Sequence, residues 1–510
     1  MSVKTTAPPG LAKNDVTTAV GIVPAREQNA EAASGTDFAP GIDAAFPQEF
    51  AERDCALECV QGEVPDFVRG RYYLNGPARF GRDGLSYRHW LDGDGMICSL
   101  HFHENGVHLK SRYIRSTKFL REHDAKRPLF RAFGTTFEDS QLNRIKNGLE
   151  SPVNISIYAL GDRLLALGEQ GLPWELDPET LETRGAFTFN GRLNEASPFA
   201  AHPKFDARSG EMFNFGVFFS SQAPRLYLYC FGPEGLRYRK ATVLEYSCSV
   251  HDFSLSPRHA IFYLSPYLLD VDALVQKRRT VMESLDWQPE RGSRLLILAR
   301  SSGEPVASLP IGNRYCLHLI NSFEQNDRLF VDVVEFDQPL YSEYQPIPNL
   351  FQNVARGGPV RFTIDLTRKE LVDRRRISYS SAPDFPAIDP QQVMQSYEEF
   401  WMLGISATGN RGRKFFDQLV HANWNESASS DIYQSPPMRY LGGEPVFIGA
   451  PGSRDGVVIC QEFDADHGQS FFLLFDARNV RRGPIARLAC GQMVHFGFHA
   501  AFQRRERNAG

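Results

Sequence analysis

The runs FNFGVFF (Phe213–Phe219) and RLYLYCF (Arg225–Phe231), the second leading into GPEG (Gly232–Gly235), decide the fold class. Each is short, rich in aromatic and β-branched residues, and closed by a turn signal. That combination reads as antiparallel strands. The same texture extends in both directions from about Val60: RYYLNG, MICSLHF before ENG, SIYAL before GDR, RLLILAR before SSGE, RLFVDVVEF, VRFTIDL before TRKE, and FFLLFDA. Roughly twenty such runs reach the C-terminus, which is the pattern of a sandwich, a barrel or a propeller. For one domain of this length the propeller fits best, as seven blades of four strands at about 60 residues each. No blade motif repeats. Helical periodicity is confined to Lys118–Lys126, Leu269–Asp286 and Gln391–Glu398. The expectation is an all-β chain, with a mobile tail over 1–45 (rich in Ala, Thr, Pro and Gly) and a single propeller domain over 46–510.

Composition sets the outer bounds. The chain has 510 residues, 42% hydrophobic and 23% charged, which is ordinary for a globular protein and too apolar for a disordered one. The formal charge of -5 lacks the basic footprint of a nucleic-acid binder, so no nucleic-acid partner is expected. Eight cysteines carry no CxxC pair and read as reduced thiols of a cytoplasmic protein. No run of about 18 apolar residues is present, and the N-terminus lacks the apolar core of a secretory signal.

Thirteen histidines are present. His101, His103 and His108 fall on one alternating strand and its turn, and His123, His259 and His467 among polar residues where solvation is expected. Four differ: His202 in FAAHPKFD, His251 in CSVHDFSLS, His318 in YCLHLINSFE and His499 in FGFHAAF. Each borders an apolar run, and each is far from the others in sequence. The inner strands of a propeller converge on one axis, so such residues can meet there. Neutral imidazoles suit zinc, copper, iron and nickel, and four of them leave an octahedral ion two open positions. Four unrelated core histidines would give the same sequence pattern. A non-enzymatic propeller binding module therefore stands as an alternative, and a zinc hydrolase lacks HExxH spacing.

The segments AHPKFDARSGE, VHDF, HLINSFE and GFHAAF resemble the four metal-ligand segments of the carotenoid cleavage oxygenase family, which also holds retinoid isomerases and stilbene cleavers. YRHWLDGDGM (Tyr87–Met96) is similar to that family's HWFDGDGM signature. LDPETLET and GGEPVFIG match its strand–turn segments, in order, from about Val60 to Phe502. The resemblance implies a seven-bladed propeller with a loop and helix cap over the metal face. It also implies Fe(2+) held by His202, His251, His318 and His499, with carboxylates behind three of the rings. By position these are Glu169, Glu444 and Asp384; the family usually has Glu at the last, which puts a direct bond from the shorter side chain to His318 in doubt. Ile155 falls where O2-cleaving members often carry a small hydroxyl residue, near an open iron position. Gly168 falls where stilbene cleavers usually carry a Lys.

The implied function is oxidative cleavage by O2 of one conjugated C=C bond of a lipophilic carotenoid or apocarotenoid, giving aldehyde or ketone products. Stilbene cleavage of the lignostilbene type is the alternative, with retinoid isomerisation a third activity on the same scaffold. Apolar cap segments Pro128–Phe133, Tyr267–Leu274 and Ile347–Phe351, flanked by Lys126, Arg127, Lys277 and Arg278, suit a substrate entrance with peripheral membrane contact. Ordinary loop packing accounts for these segments equally well.

Overall fold

In the three consecutive strands Glu211–Phe218, Arg225–Gly232 and Gly235–Val243, burial declines steadily along the chain. The first two are buried at nearly every position, whereas the third alternates between half-buried and exposed. An inner strand covered on both faces needs an unbroken apolar run, and a strand with one wet face needs alternation. The turn Gly232–Gly235 joins the last two strands, with Gly235 at φ +107°, a conformation that L side chains rarely adopt. The same gradient recurs from Tyr315–Gln325, buried almost throughout, to Glu370–Arg376, mostly exposed.

The computed structural model describes residues 36–142, 149–344, 347, 349–379, 381–425 and 430–504. Among these are five antiparallel four-stranded sheets. Their first and last strands are Ser156–Leu160 and Thr183–Ala186, Lys204–Asp206 and Gly235–Val243, Ser254–Leu255 and Pro305–Gly312, Tyr315–Gln325 and Glu370–Arg376, and Ala382–Ala387 and Asp431–Gln434. A nine-stranded sheet joins the two ends of the chain. Arg53–Gly62 pairs with Pro484–Ala489, and Gly70–Arg79 pairs with Ala500–Arg504. The fold is all-β and propeller-like, as the strand texture implies.

Several expectations need correction. The described residues begin at Thr36. Ala39, Ile42 and Ala45 are buried, so residues 36–45, expected in the tail, belong to the fold. Residues 1–35 of that tail and 505–510 lie outside the described residues. Leu269–Asp286 is not one helix but the helices Val271–Val275 and Val281–Ser284 between short strands. Asp270 and Thr280 start the two by capping Ala273 N and Glu283 N, which splits the apolar period. Gln391–Glu398 is not a helix beyond the 3₁₀ turn Pro390–Gln392. The third candidate forms: Thr117–Ala125 is capped by Ser116 and ended by Lys126 in the left-handed region. His259 is buried against Glu324 rather than solvated.

Candidate metal centre

The four histidines arrive from strand ends and strand irregularities. His202 precedes Lys204–Asp206, His251 precedes Ser254–Leu255, and His499 precedes Ala500–Arg504. His318 lies inside Tyr315–Gln325, where the register against Arg328–Phe336 slips on both sides of Leu319. Asp384 and Glu444 also sit at register shifts, in Ala382–Ala387 and Arg439–Gly449, and Glu169 follows the end of Arg163–Leu167. Irregularities of this kind turn a side chain away from the ladder and toward a site.

All four side chains are nearly or fully buried, and one nitrogen of each lies within 4.8 Å of the others. His202 Nε2 is 2.9 Å from His251 Nε2, which is 3.2 Å from His318 Nε2. The opposite nitrogens face carboxylates: His251 Nδ1 is 2.7 Å from Glu169 Oε2, His318 Nδ1 is 2.6 Å from Asp384 Oδ1, and His499 Nδ1 is 3.4 Å from Glu444 Oε2. Asp384 therefore reaches its ring directly despite the missing methylene. Its other oxygen accepts from Tyr344 OH at 3.2 Å, and Phe385 N donates to Oδ1 at 2.9 Å. Glu444 accepts from Ala500 N at 3.2 Å.

These bonds fix the chemistry of the centre. A carboxylate demands a donor, so Nδ1 of His251 and His318 carries the proton. Their two Nε2 lone pairs then face each other at 3.2 Å with no proton to share, an arrangement that a cation between them relieves. Burial pushes His202 well below the usual imidazole range, and the neighbouring rings push the same way, so it stays neutral and able to donate a lone pair. Burial lowers His499 against the pull of Glu444. For His318 burial is the largest single influence and acts downward, but the charge and hydrogen bond of Asp384, with the charges of Asp252 and Glu444, together outweigh it and raise the ring. The donor set fits a borderline or soft divalent ion held by imidazole.

An apolar cavity opens beside this cluster. Ile155, Glu169 and His251 line it together with Phe133, Phe199 and Tyr341. Ile155 is buried, and its carbonyl accepts from His499 N at 3.2 Å. Of the apolar segments expected at an entrance, Ala132–Phe133 and Leu269–Leu274 contribute lining residues. Most of their side chains are buried, and Leu350 and Phe351 are packed into the core. The signature segment around Trp90 adds Leu91 and Asp92 to the cavity lining. Asp92 accepts from His89 N, Gly134 N and Thr135 OH, and His89 Nε2 lies 2.9 Å from Tyr341 O. Sequence reasoning missed Tyr344, whose only advance signal is a Tyr in an otherwise unassigned loop.

The family model for retinal pigment epithelial membrane protein matches residues 45–504, and the chain belongs to this family, that of the carotenoid cleavage oxygenases. Apocarotenoid-15,15'-oxygenase of Synechocystis sp. is 28% identical over 473 residues, covering 89% of this chain and 94% of that protein. Isoeugenol monooxygenase of Pseudomonas nitroreducens is 25% identical over 467 residues, covering 88% and 94%. The solved structure of cobalt-substituted Synechocystis apocarotenoid oxygenase superposes with a TM-score of 0.82 at 25% identity, over 92% of this chain and all of that one. Among the described residues no helix is long and apolar enough to cross a membrane.

Proposed function

We propose that this chain is a non-haem Fe(II) dioxygenase that cleaves one conjugated C=C bond of a carotenoid or apocarotenoid with O2, leaving aldehyde or ketone ends. The observation that carries the reading is the cluster of four inward-facing imidazoles, three of them backed by carboxylates. Bound by His202, His251, His318 and His499, ferrous iron would supply O2 activation through the positions that four protein donors leave open. The rest is the work of the chain. Glu169, Asp384 and Glu444 hold the rings in orientation and raise their basicity. Phe133, Phe199 and Ile155 exclude water and align an extended apolar substrate along the cavity beside His251.

The substrate reading rests on two features of the cavity. Its empty volume, open mouth included, is about 1360 Å³. Its wall is largely apolar, with Phe199, Phe215, Val217, Leu274 and Val281 among the lining residues, which suits a lipophilic polyene. Val275 lies at once on the cavity lining and on the surface, which gives a lipophilic substrate an apolar way in. At Gly168 an added Cβ would stand 2.1 Å from Ser151 Oγ. A side chain there would have to displace the Ser151 hydroxyl, and with Gly where stilbene cleavers carry Lys a phenolic stilbene finds no cation at this position. The stilbene reading keeps support from relatives such as lignostilbene-alpha,beta-dioxygenase isozyme III of Sphingomonas paucimobilis. The architecture that goes with this reading has seven blades. The nine-stranded sheet counts as two of them, joined where Arg53–Gly62 meets Pro484–Ala489.

The test is mass analysis of carbonyl products from a panel of carotenoids, apocarotenals and hydroxystilbenes under 18O2. Labelled aldehydes from the polyenes, abolished by an iron chelator, are the expected result. Cleavage of hydroxystilbenes alone would overturn the substrate reading, and no product from any of them the enzymatic one.

A further inference from the structure

Asp252 follows His251 and is 3% exposed. Its carboxylate gathers three separate segments of the chain. Oδ1 lies 2.8 Å from Lys204 Nζ, two residues beyond His202, and accepts from Phe253 N at 2.8 Å. Oδ2 accepts from Leu319 N at 2.9 Å, one residue beyond His318. A single buried carboxylate therefore ties together the segments that carry His202, His251 and His318, which begin three different sheets. Bonds to an ionised acceptor are shorter and stronger than neutral ones, so they resist spreading of the segments. Lys204, about a quarter exposed, reaches in from the rim and supplies the countercharge, its ammonium 6.0 Å from the centre of the Phe253 ring.

We propose that Asp252, neutralised by Lys204, is a positioning residue for the metal centre, fixing the spacing between three of its four histidines. The inference rests on the metal reading above and deepens it. The Leu319 bond sits where the ladder of Tyr315–Gln325 slips, so Asp252 supplies an acceptor at the irregularity that turns His318 inward.

Cobalt(II) is the probe, because its visible d–d bands report ligand geometry independently of turnover. Affinity is measured by chelator competition on the full chain, for the native protein, Asp252→Asn, Lys204→Met and a control, Asp332→Asn. Asp332 is a buried carboxylate paired with Arg361, on the strand Arg328–Phe336 that pairs with the one carrying His318. Asp252→Asn is expected to bind cobalt roughly 10–100-fold more weakly, as changes behind metal ligands do, with shifted bands. Lys204→Met should move both readouts in the same direction. Asp332→Asn should lower the unfolding midpoint and leave affinity and spectrum alone. Native affinity and native bands in both Asp252→Asn and Lys204→Met would overturn the proposal. If Asp252→Asn does not fold, the partly exposed Lys204 site decides. A native chain that takes up no cobalt would fail the metal reading itself, a separate outcome.

Discussion

At the scale of single residues, the centre is a set of imidazole–carboxylate pairs whose partners differ in reach. Asp384 compensates for its shorter side chain with a 2.6 Å bond to His318 and a second hold from Tyr344. Asp384→Asn should therefore weaken iron retention roughly 10–100-fold, and Tyr344→Phe should weaken it less, both read as iron per chain after dialysis against chelator. Equal retention in native and Asp384→Asn protein would remove Asp384 from the centre. A different residue sets an acid limit. Burial pushes His495 down to about 3 from 6.5. Below about 6.5 the unfolded chain binds a proton that the folded chain refuses. Stability is thus intact above about 6.5 and falls as pH drops toward 3, by roughly 1.4 kcal/mol per pH unit at the steepest. His495→Leu should flatten the fall in denaturation midpoint between about pH 6.5 and 5; an unchanged slope would assign the loss to other groups. The four histidines and three carboxylates were legible because each stands in a motif. Asp252 and Tyr344 act only through contacts between segments far apart in sequence, which no local pattern encodes.

Secondary elements are held to the sheet by buried charge as well as by apolar packing. The helix Thr117–Ala125 places Lys118 and Glu122 on its inner face. Lys118 Nζ lies 2.8 Å from Asp94 and 3.0 Å from Glu122, and Arg82 pairs with both carboxylates. Glu122 also accepts from Tyr87 OH and from the backbone N–H groups of Leu129 and Phe130. Removing one member of such a network leaves charge buried without a partner. Glu122→Ala should cost roughly 3–5 kcal/mol in denaturant unfolding, whereas a loss below about 1 kcal/mol would mean that the network is not closed in solution. At this scale the strands were legible from turn residues and β-branched runs. The boundaries of the elements after Tyr267 were not, because the caps Asp270 and Thr280 interrupt an apolar period that continues through them. The bulges at His318, Asp384 and Glu444 are equally invisible, since a register shift leaves no mark in hydropathy.

Across the whole molecule, the first and last strands among the described residues share one sheet, and the last of the four histidines stands at that junction. His499 N bonds Ile155 O, Asn75 N bonds His499 O, and Ala500–Arg504 pairs with Gly70–Leu74. Ending the chain before Ala500 should release His499, lower the melting temperature and abolish metal retention together; a truncated protein that keeps its metal would show that closure and ligation are independent. The all-β, propeller-like architecture was legible from the spread and spacing of strands. Convergence of four distant histidines was an expectation that the folded chain alone could place within 4.8 Å. The most direct test of the account is elemental analysis of iron in protein purified anaerobically, native beside His318→Ala. About one iron per native chain, lost in His318→Ala, is the expected result; a metal-free native chain, or equal iron in both, would contradict it.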